Sequence, residues 1–283
     1  NNFFSGLRLN TVCSSAHCPN LYDCFKRHTA TFMLLGNICT RNCRFCAMKK
    51  GRPDFGLAGE PLPLNPGEPE NIAAAAKQWG LKYAVITSVT RDDLADGGAE
   101  QFALTVTRLR ACLPGIKVEI LIPDFQGKRE SLEAVVKSQP EVIGHNLETV
   151  PRLYPIVRAQ ANYLRSLDLL SRIKAMDSSI LTKSGIMAGL GEEKDEIIAV
   201  MEDLRKADCD ILTIGQYLSP SSNHLPVKRF LPPAEFLKLE QAARSLGFKQ
   251  VSCGPLVRSS YHSQECFVEA SKCKSAWLKK ISS

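Results

Sequence analysis

Short β-rich runs alternate with longer helical patterns through the middle of this chain, and that alternation narrows the fold more than any other feature. Apolar and β-branched runs at 31–35, 83–87, 118–122, 142–146, 180–185 and 211–215 read as strands. Between and after them, apolar residues recur at helical spacing over 70–80, 99–112, 128–138, 161–175, 193–207 and 233–246. A crossover helix returns the chain to a strand running the same way, so these units imply a parallel sheet with right-handed connections, either doubly wound or curled into a barrel. A closed barrel needs about eight strands, and about six are legible. The expected fold is therefore α/β, a partial (open) TIM-type barrel with N- and C-terminal extensions. Its expected parts are a segment over 1–30, the barrel over 31–247 and an extension over 248–283, packed as one structural unit.

Chemistry in such barrels gathers at the carboxyl ends of the strands. The positions there are Ser88, Arg91 and Asp92, then Asp124, Asn146 with Glu148, Lys183 with Ser184, and Gln216 with Tyr217. Any one alone reads as a helix cap; together they suggest a binding surface. Two glycines in the run 189–192, before a helix, could receive a carboxylate or phosphate, although a plain turn is the simpler reading. The Pro- and Gly-rich run 57–69 reads as a loop over the barrel.

Hydrophobic residues at 44% and charged residues at 23% are ordinary for a globular chain and argue against disorder. The apolar-rich stretch 29–40 has 12 residues without a charge, and no uncharged run reaches the roughly 18 of a membrane-spanning helix. A net charge of +7 suits an acidic partner and nucleic acid equally. Because the basic residues are scattered, apart from a tail with Lys272, Lys274, Lys279 and Lys280, neither nucleic acid nor membrane is expected as a partner.

The 11 cysteines are an odd number, with no secretory signal before them, and fit a disulfide framework poorly. Cys112, Cys209, Cys253, Cys266 and Cys273 are scattered and read as structural, whereas the other six crowd between Cys13 and Cys46. Such crowding points to metal or redox chemistry. Cys39, Cys43 and Cys46 form C-x3-C-x2-C directly after the first strand. Three thiolates on one loop can hold three corners of a cubane iron–sulfur cluster and leave the fourth iron open. Zinc competes: a structural zinc takes four ligands, and His17 or His28 could be the fourth. Cys13, Cys18 and Cys24 form a second triplet, C-x4-C-x5-C, with Pro19 and Asn20 favouring a turn between them. Arg258-Ser259-Ser260-Tyr261, taken alone, is a loop or a helix start capped by serine.

The triplet Cys39, Cys43 and Cys46, with Phe45 just before Cys46, resembles the signature of radical S-adenosylmethionine enzymes. Both triplets, with TSVTRDDLADGGA at 87–99, HNLETV at 145–150, SGIMAGLGE at 184–192 and RSSY at 258–261, resemble the lipoyl synthase family in order from about residue 10 to 265. The N-terminal triplet and RSSY are the specific elements; C-x3-C-x2-C is shared across the superfamily. Departures are slight: Ser14, Ser15 and His17 fill variable positions, and the family's usual N-terminal extension is short or missing.

The resemblance implies two 4Fe–4S clusters and S-adenosylmethionine. On the cluster of Cys39, Cys43 and Cys46, the amino and carboxylate groups of S-adenosylmethionine chelate the open iron, and an electron cleaves the sulfonium to a 5′-deoxyadenosyl radical. Unactivated C–H bonds offer no acidic proton, so a cofactor must supply the radical. The implied reaction inserts two sulfur atoms at C6 and C8 of an octanoyl chain on a lysine of a lipoyl carrier domain. In the family an auxiliary cluster donates the sulfur, here on Cys13, Cys18, Cys24 and a serine: Ser260, with Ser259 as the alternate. Oxygen binds these irons less well than thiolate, which suits a cluster that must come apart. Phe45, Asn146, Glu148, Lys183 and Ser184 are the implied S-adenosylmethionine contacts, and Arg258 orients the serine or the substrate. Implied partners are the glycine cleavage H protein or a 2-oxoacid dehydrogenase E2 as octanoylated carrier, and an electron donor such as ferredoxin or flavodoxin. The expected compartment is the bacterial cytoplasm, or a mitochondrial or plastid matrix if a targeting segment was removed. The rivals are a biotin-synthase-like sulfur-inserting enzyme, against which the N-terminal triplet and RSSY argue, and a non-catalytic iron–sulfur or zinc protein, which would saturate its metal corners.

Overall fold

The computed structural model describes residues 9–15, 18–27, 29, 31–51 and 64–281. His17, His28 and most of the run 57–69 lie outside the described residues. Contacts group the chain into two compact units, Asn1–Glu141 and Val142–Ser283.

In the first unit, strand β1 (Asn10–Thr11) runs antiparallel to β2 (Thr31–Leu34), with Thr11 opposite Phe32. The short helices α1 (Val12–Ser15) and α2 (Leu21–Lys26) lie between them in sequence. Two-residue strands β3 (Ile38–Cys39) and β4 (Lys49–Lys50) pair with each other in parallel. Helix α3 (Glu68–Gln78) precedes β5 (Tyr83–Ser88), α4 (Ala99–Cys112) leads to β6 (Lys117–Leu121), and α5 (Arg129–Lys137) follows. β2 pairs in parallel with β5, and β5 with β6. Phe32, Leu34, Ile86, Val118 and Ile120 are all fully buried, as expected of parallel strands covered on both faces. Ala99, Phe102, Val106 and Leu109 put one stripe of α4 into the same core. Each of the larger side chains contributes about 1.5–3 kcal/mol relative to exposure.

In the second unit, β7 (Val142–Gly144), β8 (Leu181–Ala188), β9 (Ile211–Gln216) and β10 (Gln250–Gly254) pair in that order, all in parallel. The helices are α6 (Tyr154–Val157), α7 (Tyr163–Met176), α8 (Lys194–Lys206), α9 (Pro233–Ser245) and α10 (Ser263–Ile281). Cys266 and Ala270 of α10 pack on Val142, Leu181 and Ile211. Asp210, at the start of β9, is fully buried and accepts hydrogen bonds from Lys174 Nζ at 2.8 Å and Thr182 N at 3.0 Å, with Lys249 Nζ 2.6 Å away. That paired charge ties α7, β8 and the approach to β10 together.

All six expected strands are present, and the six helices match their expected spans within two residues at each end. β10 is an addition, inside the stretch expected to be an extension. Its residues Gln250, Ser252 and Cys253 are only partly buried and only Val251 is fully so, so the apolar run that marks a parallel strand is missing. Among the described residues no helix is long and apolar enough to cross a membrane.

Candidate active site

The loop that carries Cys39, Cys43 and Cys46 leaves β2 through Leu35, which adopts φ +68°. The buried Glu68, at the start of α3, accepts hydrogen bonds from Leu35 N at 2.9 Å and Gly36 N at 3.2 Å. Burial pushes that carboxyl above its ordinary value, and the two amides pull against the shift. Farther on, Arg41 N donates to Cys39 Sγ at 3.4 Å, Gly51 N to Cys39 O at 3.1 Å, and Cys46 N to Cys43 O at 3.2 Å. Thr40 reaches across to the segment after β5: its Oγ1 donates to Thr90 O at 3.1 Å and accepts from Asp92 N at 3.1 Å.

Arg41, between the first two cysteines, holds the loop most firmly. Its guanidinium donates to Asp92 through Nε at 2.7 Å and Nη2 at 2.9 Å, and Nη2 also donates to Asp124. Arg41 and Asp124 are buried. Burial opposes the charge, but the two carboxylates raise the guanidinium further above its ordinary value. A bidentate fork fixes direction as well as distance, so the thiols stand on a loop backed by a locked ion cluster. Cys39, Cys43, Cys46 and Phe45 are half-buried, and the three thiols are free of disulfides.

Cys13 on α1, Cys18, and Cys24 on α2 form the other group in this unit. Cys18 N donates to Cys13 O at 3.2 Å, Cys24 N to Asn20 O at 2.9 Å, and Thr29 closes the segment by donating N and Oγ1 to Cys24 O, each at 2.9 Å. Burial pushes the Cys13 and Cys24 thiols up, and charge on neighbouring thiols of the triplet pushes both further. Thiolates gathered on one short segment repel one another. A shared cationic group relieves that repulsion, and soft thiolates suit iron–sulfur irons. Among the described residues no three His, Cys, Asp or Glu side chains converge to hold one metal ion. Cysteines of a cubane bind separate irons and need not converge on one point. Both donor sets thus fit an iron–sulfur cluster.

In the second unit several of the expected polar residues gather on the segment after β7. Arg158, buried, donates through Nη1 to Asn146 O at 2.7 Å and Leu147 O at 2.9 Å, and Tyr154 OH donates to Leu147 O at 3.0 Å. Glu148, at φ +67°, is pinned by its own N donating to Gly185 O at 2.9 Å and its carbonyl accepting from Met187 N at 2.8 Å. Burial raises its carboxyl above the ordinary range, with the Arg158 charge and Asn146 opposing. Asn146 Nδ2 donates to Glu148 Oε1 at 3.0 Å, and Asn146 Oδ1 accepts from Ser259 Oγ at 3.3 Å. Ser88 Oγ, at the end of β5 in the first unit, and Arg158 Nε, just after α6 in the second, are buried without a hydrogen-bond partner among the described residues.

The remaining expected residues have local partners. Lys183, buried in β8, donates from Nζ to Ser263 Oγ at 2.9 Å, at the start of α10; Ser184 Oγ accepts from Leu147 N at 3.3 Å. Arg258 Nη1 donates to Val257 O at 2.6 Å, and Tyr261 N to Arg258 O at 3.0 Å closes the RSSY turn. Gly215 in β9 leaves room for this turn, since a Cβ there would run into the Val257 carbonyl. Ser260 is half-buried and makes no hydrogen bond among the described residues. Arg91 pairs with Asp93, Gln216 accepts from Leu231 N at 2.9 Å, and Tyr217 OH donates to Leu225 O at 2.7 Å. The turn at 189–192 binds an anion from its own sequence: the Glu192 carboxylate accepts from Gly189 N and Leu190 N. Arg41 and Arg158 were not legible as site residues. Arg41 lies inside C-x3-C, a usable signal, while nothing in the sequence marks Arg158.

A model of the radical SAM superfamily matches residues 33–204. A lipoyl synthase of Caldanaerobacter subterraneus subsp. tengcongensis is 56% identical over 260 residues, covering 92% of this chain and 88% of its own. A lipoyl synthase of Alkaliphilus metalliredigens is 49% identical over 278 residues, covering 97% and 93%. Among solved structures, Streptococcus suis SuiB bound to precursor peptide SuiA superposes with a TM-score of 0.58 at 15% identity, covering 83% of this chain. This chain spans only 52% of SuiB, and at that identity the likeness speaks for fold alone. The α/β class read from the sequence, with parallel strands and crossover helices in the manner of a partial barrel, is the class this likeness supports. Iron–sulfur chemistry and S-adenosylmethionine go with the superfamily, and identities over most of both chains narrow it: the chain belongs to the lipoyl synthase family of radical S-adenosylmethionine enzymes.

Proposed function

We propose that this chain inserts sulfur at C6 and C8 of an octanoyl group amide-linked to a lysine of a lipoyl carrier domain. The carrying observation is the pair of cysteine triplets, each a local cluster of thiols free of disulfides and each one ligand short of a closed four-cysteine site. In this reading two 4Fe–4S clusters and S-adenosylmethionine supply the electron, the hydrogen-abstracting radical and the sulfur. Cys39, Cys43 and Cys46 hold one cluster, on a loop that Arg41 keeps rigid through Asp92 and Asp124. Phe45, Asn146 and Glu148 bind and orient S-adenosylmethionine. Cys13, Cys18 and Cys24 hold the other cluster, and Ser260 is its fourth ligand. The local geometry favours Ser260 over Ser259, because Ser259 already donates to Asn146 while Ser260 has no partner among the described residues. Arg258 fixes the turn that presents that serine.

The carrier is read as the glycine cleavage H protein or a 2-oxoacid dehydrogenase E2, the reductant as ferredoxin or flavodoxin, and the compartment as bacterial cytoplasm. Anaerobic incubation of reconstituted protein with an octanoyl-lysine peptide, dithionite and S-adenosylmethionine, read by mass spectrometry, tests the activity. A product carrying two added sulfur atoms is expected. Cleavage of S-adenosylmethionine with no sulfur in the peptide would overturn the assignment.

A further inference from the structure

Asn146 stands between two segments that the function uses for different ends. Its amide is anchored on both sides: Nδ2 donates to Glu148 Oε1 at 3.0 Å, and Oδ1 accepts from Ser259 Oγ at 3.3 Å. The amide nitrogen faces Glu148, its oxygen faces Ser259, and the Ser259 hydroxyl is the donor. The position is confined. A Cβ on Gly185 would lie 3.0 Å from Asn146 Oδ1 and 2.8 Å from Thr213 Oγ1, so a bare glycine in β8 leaves the amide its place. Arg158 holds the Asn146 and Leu147 carbonyls from beneath. At the other end, Ser259 O accepts from Ser263 Oγ at 3.4 Å, and Ser263 Oγ accepts from the buried Lys183 Nζ at 2.9 Å. The RSSY turn is thus tied at one residue, on two sides, to the segments after β7 and within β8.

We propose that Ser259 is a positioning residue acting through Asn146. The chain Ser259–Asn146–Glu148 couples the placement of the RSSY turn to the binding of S-adenosylmethionine. This rests on the proposed function, which puts S-adenosylmethionine at Asn146 and Glu148. Removing the Ser259 hydroxyl frees the amide to rotate away from Glu148, so cofactor binding weakens although Ser259 never touches the cofactor. Coupling between sites is reciprocal, so S-adenosylmethionine in turn steadies the turn that bears Ser260.

The test measures the equilibrium Kd of S-adenosylmethionine on anaerobically reconstituted full-length protein. Wild type is compared with Ser259→Ala, Ser259→Thr, Asn146→Ala and the Ser259→Ala/Asn146→Ala double variant. Ser259→Ala is expected to weaken binding about fivefold, the worth of one neutral hydrogen bond; Ser259→Thr, which keeps the hydroxyl, restores it. The double variant should bind no worse than Asn146→Ala alone, because the effect of Ser259 passes through the amide. Additive losses, or Ser259→Ala binding as tightly as wild type, would overturn the coupling. Should Asn146→Ala fail to fold, Asn146→Leu, which keeps the branched shape but neither polar atom, takes its place in the cycle. Wild type that binds no S-adenosylmethionine would sink the proposed function itself, an outcome distinct from additivity.

Discussion

At the scale of single residues, a pair of thiols three apart is visible in a sequence because its geometry is local, whereas a long-range ion pair is not. Arg41 meets Asp92 across 51 positions and Asp124 across 83. Asp92 and Asp124 were legible as polar residues at strand ends, but their partner was not, and the structure gives them to the cysteine loop. Removing one member of a buried charge cluster leaves the others unpaired, at a cost of about 3–5 kcal/mol. Arg41→Ala should therefore lower the melting temperature strongly and leave the protein unable to retain iron at Cys39, Cys43 and Cys46. Arg41→Lys keeps the charge but loses the planar fork and should fall between. Thermal unfolding together with iron content after reconstitution checks both; an Arg41→Ala protein with wild-type iron and stability would show that the ion cluster does not hold the loop.

Among the elements, helices and apolar strands were legible because their side chains keep a period, and β10 was not because its partly polar residues do not. What β10 does is physical nonetheless: paired with β9 in register, Gly254 beside Gly215, it delivers the RSSY turn to a fixed place. Gly215→Ala puts a methyl where the Val257 carbonyl lies, and overpacking of this kind costs about 1–3 kcal/mol. The expected outcome is a modest drop in melting temperature with sulfur insertion impaired more than formation of 5′-deoxyadenosine, since the displaced segment leads into Ser260. Equal loss of both products would place the damage elsewhere. The start of α8 gives a prediction in pH. Glu196 closes a capping box with Glu193 and takes a two-toothed contact from Arg152 at 2.7 and 2.8 Å, which holds its carboxyl down to about 2. The unfolded chain therefore takes up this proton before the folded one does. The stability Glu196 contributes is present above the ordinary carboxylate pKa and fades as the pH falls towards 2. The melting-temperature gap between wild type and Glu196→Gln should close over that interval. A gap that stays constant from neutral pH to pH 2 would contradict the assigned cause.

For the molecule as a whole, both cysteine triplets lie in the first unit, within residues 13–46, while Asn146, Glu148, Ser259 and Ser260 lie in the second. Closeness in sequence does not make the triplets redundant, because their supports differ. The loop of Cys39, Cys43 and Cys46 rests on the buried Arg41 cluster and on Glu68, whereas Cys13 and Cys24 sit on two short helices, with Cys18 between them, in a segment closed by Thr29. Loss of a thiol from one loop should leave the other folded, so the two functions separate by mutation. Fully reconstituted wild type is expected to carry about eight irons, as two cubanes require, and each single variant about half of that. Cys43→Ala should abolish 5′-deoxyadenosine and sulfur insertion together, since the radical arises at its cluster. Cys18→Ala should still release 5′-deoxyadenosine but form no carbon–sulfur bond, since only the sulfur source is gone. Iron analysis with quantified 5′-deoxyadenosine and thiolated peptide reads all three quantities on one sample. Sulfur insertion by Cys18→Ala at the wild-type rate would remove the N-terminal triplet from the chemistry, and four irons in the wild type would leave the chain with one cluster.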